Sequence, residues 1–318
     1  MFQHILVPLD GSTLAEGVLP HVSLLARAGA RRVTLLHVLD PMAQSVRTAM
    51  VDPFEWQIRK AEAETYLRSM ANRLEELDFR PEVEIMEGRA AESVIAFASD
   101  QQVDLIALSS HGQSGISSWN VSSVVQKIIL RARRSILIVR AYQSPPDTAQ
   151  GLEYQRIVVP LDGSQRAEVA LSMASELARA TAAELRVIHI VESPEIPHRT
   201  PLSQEDQELI DRLTERKRVE AMKYLSELKV HEDLKLETSV MESDNVISAL
   251  HEAIEEVHAD LVVLSAHGYT GTTRWPYGST TVSLITYGTA PLLIVQDLPE
   301  NRIELTSAEL AARERGGR

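Results

Sequence analysis

One phrase that occurs twice constrains this chain more than any other feature. Ile5-Leu-Val-Pro-Leu-Asp10-Gly-Ser12 returns as Ile157-Val-Val-Pro-Leu-Asp162-Gly-Ser164, and Asp104-Leu-Ile-Ala-Leu-Ser-Ser-His-Gly-Gln-Ser-Gly115 returns as Asp260-Leu-Val-Val-Leu-Ser-Ala-His-Gly-Tyr-Thr-Gly271. The two phrases recur in the same order at nearly the same offset, which marks two copies of one domain. Each copy spans about 150 residues, a common domain size and enough to bury its own core.

Both halves read as alternating strands and helices. An apolar strand opens each (Ile5 to Leu9; Ile157 to Leu161), a helix rich in Ala and Leu follows, and a second strand comes next (Arg32 to Val38; Leu185 to Ile190). Asp52 to Asp78 and Ser203 to Val230 carry apolar residues at helical spacing, as in Leu67, Met70, Leu74 and Leu77 or Met222, Leu225 and Leu228. That spacing predicts amphipathic helices laid over the sheet. A third strand (Glu82 to Met86; Lys235 to Met241), a helix (Ala91 to Ser99; Val246 to Val257), a fourth strand (Leu105 to Leu108; Leu261 to Leu264), and a last helix and strand (Ser135 to Val139; Pro291 to Val295) complete each half. The expected fold class is α/β: two tandem doubly wound domains, each a five-stranded parallel sheet flanked by helices in a Rossmann-like sandwich. In such folds ligands sit beyond the carboxyl ends of the strands, at a switch in strand order, and the repeated phrases fall there. The expected domains are 1–142 and 154–297, with 143–153 an aperiodic, turn-rich linker and 298–318 a polar tail.

The formal net charge of −13 argues against a nucleic-acid polymer as partner, since such binding rests on Lys and Arg displacing counterions. It leaves a nucleotide open, because backbone N–H groups and a helix N-terminus hold a small phosphate whatever the global charge. The chain has no cysteine, which removes disulfides, thiolate metal sites and a Cys nucleophile. With no signal-like N-terminus and no apolar run near the ~20 residues of a membrane span, a cytoplasmic protein with no membrane partner is expected.

In the second half the fourth strand runs into Ser265-Ala-His267-Gly268, nine residues pass, and Gly278-Ser279-Thr280 opens the last helix. Gly-Ser at a helix start offers N–H groups and a hydroxyl to an anion, and a small residue lets a ligand approach the backbone. A turn and a helix cap with no ligand explain the same residues. The first half reads Ser109-Ser-His111-Gly112-Gln113 and then Ser122-Ser123-Val124, with Ser122 in place of the glycine. The more complete loop favours the second half as the anion site. Asp10 and Asp162 end the first strand, where a carboxylate can accept from a ribose or an adenine amino group; Asp-Gly-Ser is equally turn chemistry, with Thr13-x-x-Glu16 as a capping box. His37 and His189, inside the second strand, are expected to face the core or a backbone carbonyl, whereas His111 and His267 in the loops are better placed to touch a ligand. Trp119 and Trp275, shared by both copies like Gly115 and Gly271, either stack on a base or pack against protein. The chain has no Walker lysine, no Gly-x-Gly-x-x-Gly, no His pair at metal spacing, no carboxylate cage and no Gly-x-Ser-x-Gly. No catalytic residue and no protein metal site are therefore expected, a divalent ion at most bridging the ligand's own phosphates.

These residues resemble the universal stress protein family in its tandem two-domain form, whose nucleotide-binding members carry Gly-x-x-Gly, nine residues, then Gly-Ser or Gly-Thr. The resemblance covers almost all of both halves, including the opening Val-Pro-Leu-Asp and the closing Ile-Leu-Ile-Val and Leu-Leu-Ile-Val. It departs at Ser109 and Ser265 for the first glycine, at Ser122 for the third, and after the third strand, where the first half keeps Gly88 and the second has Ser243. The resemblance implies ATP, ADP or AMP as ligand, with Mg2+ bridging the phosphates. It places Pro8, Leu9 and Asp10, or Pro160, Leu161 and Asp162, beside the adenosine, and the backbone at Val38 or Ile190 at the adenine edge. Ribose and phosphates would be held by Gly88, Ser109, His111, Gly112, Gln113, Ser122, Ser123 and Val124 in one half, and by Ser265, His267, Gly268, Gly278, Ser279 and Thr280 in the other. It further implies that the two last strands pair within the chain as a covalent pseudo-dimer, with a homodimer of chains as a further step.

The expected function is a stress-response protein that binds an adenine nucleotide and changes its protein partner accordingly, with at most slow hydrolysis. The alternative is a nucleotide-free scaffold that presents the tandem pseudo-dimer to other proteins, a reading that Ser109, Ser122 and Ser265 favour.

Overall fold

The structure is a computed structural model that describes residues 1–41, 53–75, 79–113, 121–141, 152–194, 203–268 and 276–297. The linker residues 143–151, the tail 298–318, Leu77, Gly115, Gly271, Trp119 and Trp275 lie outside the described residues. The first half comprises β1 (His4–Pro8), α1 (Thr13–Glu16), α2 (Leu19–Arg27), β2 (Arg32–Leu39), α3 (Pro53–Glu75), β3 (Glu82–Glu87), α4 (Ala90–Asp100), β4 (Leu105–Ser109), α5 (Ser123–Ala132) and β5 (Ser135–Val139). The second comprises β6 (Arg156–Pro160), α6 (Gln165–Thr181), β7 (Glu184–Glu192), α7 (Gln204–Ser226), β8 (Leu236–Ser243), α8 (Val246–Val257), β9 (Leu261–Ser265), α9 (Ser279–Tyr287) and β10 (Leu292–Val295).

Each half has the doubly wound order 3-2-1-4-5, all parallel, and the halves join into one ten-stranded sheet through β5 and β10. Those two strands run antiparallel, with Leu137 opposite Leu293 and Ile136 opposite Ile294. Every residue of both is buried. Parallel strands covered on both faces need continuous apolar runs, and the alternate side chains of these runs feed two cores. One face packs against α1, α2, α3, α6 and α7, the other against α4, α5, α8 and α9, and each cluster crosses from one half to the other. The outer strands β3 and β8 alternate or lie exposed and carry Glu82, Glu84, Glu237 and Glu242, which charges the two free edges against further pairing. No helix among the described residues is long and apolar enough to cross a membrane.

Two local expectations change. The helix after β1 is broken into α1 and α2, whereas its counterpart α6 is continuous. Gly17 and Pro20 explain the break: Pro20 lacks the N–H a continuous helix would need there, and Gly17 weakens the turn before it. In α7 the inward stripe is Thr214, Ala221 and Leu225 with Leu228 partly buried, while Met222 is exposed. Ala221 is small enough to let the helix approach the sheet, so the larger methionine does not set the face.

The junction between halves is polar as well as apolar. Arg140, just past β5, is fully buried and donates to Leu284 O at 2.7 Å, Ile285 O at 3.1 Å and Ala290 O at 3.3 Å. Its charge thus sits on the carbonyl end of α9, the negative pole of that helix. Tyr277 OH donates in the opposite sense to Ile129 O of α5 at 2.9 Å. His21 of α2 meets Tyr154 OH at 2.7 Å, and burial pushes its pKa down to about 4, so it is neutral. Replacing Arg140 by Met removes three hydrogen bonds, leaving Leu284 O with Gly288 N as its remaining donor. We expect a loss of about 2 to 4 kcal/mol, read as a lower urea midpoint, with Arg140→Lys recovering part. An unchanged midpoint for Arg140→Met would contradict this role.

Candidate functional site

The site follows from where β1 stops. β1 ends at Pro8 opposite Leu36, while β2 continues through His37, Val38 and Leu39 paired only with β3. The side of β2 that faces β1 is therefore open at the switch between β1 and β4. A cavity of about 680 Å³ lies there. Pro8, Leu9, Asp10, Val38, Ser109, His111, Gly112, Gln113, Ser122 and Val124 all line it, which brings ten of the residues singled out from the first half to one place. Gly88 and Ser123 stand outside its lining. Gly88 makes the β3–α4 junction, its N–H donating to Leu39 O at 3.0 Å, and Ser123 is the first residue of α5.

Asp10 ties the two loops together. Its Oδ1 accepts from Ser12 N at 3.0 Å and Ser12 Oγ at 2.6 Å, and its Oδ2 accepts from Gln113 N at 2.5 Å across the switch. The turn requires Gly11, which has φ +84, and Gly163 repeats it at φ +82. Gly112 is held to glycine by space rather than by φ: a Cβ there would overlap Asp10 Oδ2, as a Cβ on Gly268 would overlap Asp162 Oδ2. The small residue after the histidine thus admits a carboxylate of the protein itself. Helix capping also falls one residue away from the expected box. Ser12 and Ser164 are the caps, accepting from Ala15 N at 3.1 Å and Ala167 N at 3.2 Å.

The two histidine loops lie deeper than their position implied. His111 and His267 are buried, with Nδ1 against Ser110 Oγ at 3.1 Å and against Asp297 Oδ1 at 2.8 Å. At α5 the cap is Ser122, whose hydroxyl accepts from Val125 N at 3.3 Å; at α9 it is Gly278, with no side-chain capping bond. Pro160, Leu161 and Asp162 at the end of β6, Ile190 in β7, Ser265 at the end of β9, and Ser279 and Thr280 in the first turn of α9 repeat the arrangement.

The α3 wall was not among the expected site residues. Trp56, Arg59, Ala63 and Tyr66 line the cavity, as does His37. His37 and Tyr66 stand edge to face with centroids 6.2 Å apart, and His189 and Tyr224 repeat this at 6.2 Å. Burial pushes the pKa of His37 down, opposed by the Leu9 carbonyl and the Asp10 charge, and pushes the Tyr66 hydroxyl up. Both are therefore neutral near pH 7. His37 Nδ1, Tyr66 OH and Ser109 Oγ are buried and make no hydrogen bond of good geometry among the described residues, with the Leu9 backbone against His37 and the Gly11 backbone against Tyr66, and all three residues line the cavity. The signal for this wall is the spacing of three and four residues among Trp56, Arg59, Ala63 and Tyr66, a second stripe beside the core stripe of α3.

A tandem doubly wound protein with a strand-end cleft at the switch point is the class defined by this geometry. The family model for the universal stress protein family matches residues 1–140 and 153–296, and the chain belongs to that family. A universal stress protein of Methanocaldococcus jannaschii is 28% identical over 159 residues, covering 45% of this chain and 98% of that protein. One of Thermus aquaticus is 28% identical over 142 residues, covering 44% of this chain and 100% of that protein. The crystal structure of a universal stress protein from Archaeoglobus fulgidus covers 93% of this chain and 98% of its own, with TM-score 0.62 at 19% identity, a likeness of fold.

Gly112→Ala should destabilise the fold by about 1 to 3 kcal/mol through overpacking on Asp10. Asp10→Ala in the same chain should recover much of that loss, a coupling measurable as a double-mutant cycle in urea. Additive effects would show that the two residues do not form the clasp.

Proposed function

We propose that this protein is a stress-response regulator that binds ATP, or the related ADP or AMP, in the strand-end cleft, with hydrolysis slow at most. The observation that carries this reading is a cavity with an aromatic wall whose lining includes three residues, His37, Tyr66 and Ser109, that each hold a buried polar atom with no hydrogen bond of good geometry among the described residues. Buried polar groups are normally satisfied, so unpartnered ones around a cavity call for a polar guest. The base would lie against Trp56 with its edge at Val38, where β2 has no β1 neighbour. Asp10 accepts from three donors, and a carboxylate has roughly four acceptor positions, so one is left for a ribose hydroxyl. The phosphates would meet Ser109, Gln113 and the start of α5, where N–H groups and the helix dipole favour an anion. No group of three or more metal-binding side chains stands together among the described residues, so Mg2+ would be held chiefly by phosphate oxygens.

Slow hydrolysis fits the engagement of Asp10, which is held by three donors rather than aimed at a water. The regulatory reading rests on α3. Trp56 and Arg59 line the cavity while Phe54 and Ile58 of the same turns are exposed, so occupancy at the wall couples directly to a surface a protein partner can reach. A cytoplasmic location belongs to this proposal.

Thermal unfolding with Mg2+ and ATP at a hundredfold excess over the dissociation constant should show stabilisation of about 2.7 kcal/mol. Trp56→Ala should weaken binding about tenfold, the loss of one stacking contact. Identical melting with and without ATP, ADP and AMP would overturn the proposal in favour of a nucleotide-free scaffold.

A further inference from the structure

The two halves share a fold but differ in how their clefts are satisfied. At the end of β4, Ser109 is only 6% exposed and its hydroxyl has no partner among the described residues. Its counterpart Ser265 donates to His267 O at 2.5 Å and closes the second loop on itself. Tyr66 OH has no side-chain partner among the described residues and only the Gly11 backbone against it, whereas Tyr224 OH donates to Glu168 Oε1 at 3.2 Å. His267 is bound to Asp297, a buried carboxylate whose other oxygen lies 3.7 Å from Arg166 Nε; the first half has Ala141 in that place.

We infer that the chain takes one nucleotide, in its first half, and that the second half is held closed by its own side chains. This inference rests on the nucleotide reading above. Two features point to the second half, and neither offsets this asymmetry. Gly278 leaves the start of α9 without a side-chain cap, but Ser122 accepts from Val125 N and keeps its hydroxyl proton to donate to a phosphate oxygen. The serine thus adds a donor that the glycine lacks. His189 Nδ1, Thr214 Oγ1 and, beyond its 3.7 Å approach to Arg166, Asp297 Oδ2 make no hydrogen bond among the described residues either. His189 only repeats His37, and Thr214 stands ten residues before Tyr224, as Trp56 stands before Tyr66. The second cleft has therefore exchanged the large aromatic of its wall for a threonine.

Native mass spectrometry of the full chain titrated with Mg2+ and ATP reads the stoichiometry directly. One nucleotide per chain is expected. Ser109→Leu, which puts a bulkier apolar side chain at the strand end where the phosphates would lie, should abolish the adduct, with folding checked by circular dichroism. Tyr66→Phe removes one hydroxyl from the cavity wall and should weaken binding three- to tenfold, and Tyr224→Phe should leave it unchanged. Two nucleotides per chain, or one that persists in Ser109→Leu at wild-type affinity, would overturn the single-site inference and leave the nucleotide reading standing. A bare wild-type chain at all concentrations of ATP, ADP and AMP would overturn the nucleotide reading itself, and this inference with it.

Discussion

The antiparallel pairing of β5 with β10 is the contact on which the rest of the molecule depends. Without it each half would end in a fully apolar strand with an open edge, a template for uncontrolled association. With it, two five-stranded sheets become one of ten, and both cores run through the centre rather than stopping at it. Arg140 on the end of α9 and Tyr277 on Ile129 O show that the junction is also specified by hydrogen bonds, and by different ones on its two sides.

Beside that junction, at the carboxyl ends of β1 and β4 and again of β6 and β9, the same clasp is built twice. An aspartate after the first strand packs on a glycine after the fourth, so tightly that no side chain fits between. The clasp holds the switch point open as a cleft by fixing both of its lips. What surrounds the clasp has diverged. The first half keeps a cavity with an aromatic wall, lined by Tyr66 and Ser109, whose hydroxyls have no side-chain partner among the described residues, and the second directs the corresponding groups toward Glu168, Asp297 and its own backbone. Duplication followed by unequal satisfaction of buried polar groups accounts for the asymmetry without any change of fold.

Much of this was legible in the residues. Strands such as Ile136 to Val139 are continuous apolar runs, and only a sheet covered on both faces accepts them, so the doubly wound class followed from the alternation with helices. The repeated Asp-Gly-Ser and His-Gly phrases located the strand-end loops because turns carry local chemistry. Three things were not legible for physical reasons. The cavity role of Trp56 and Tyr66 depends on how α3 rotates over β2, which is a tertiary choice. The inward use of Ala221 in place of Met222 depends on how closely α7 approaches the sheet. The partners of Ser109 and Ser265 depend on loop geometry that two nearly identical phrases share only in part. The break at Gly17 and Pro20, by contrast, was present in the residue types.

Hydrogen exchange of the full chain with and without Mg2+ and ATP tests the central claim, that the strand-end cleft is a nucleotide site, most directly. Bound nucleotide should slow exchange in peptides from the β1 end around Asp10, the β2 end around Val38, and the segment from Ser109 through the first turn of α5. Unchanged exchange in all three, or protection confined to surfaces away from the strand ends, would contradict it.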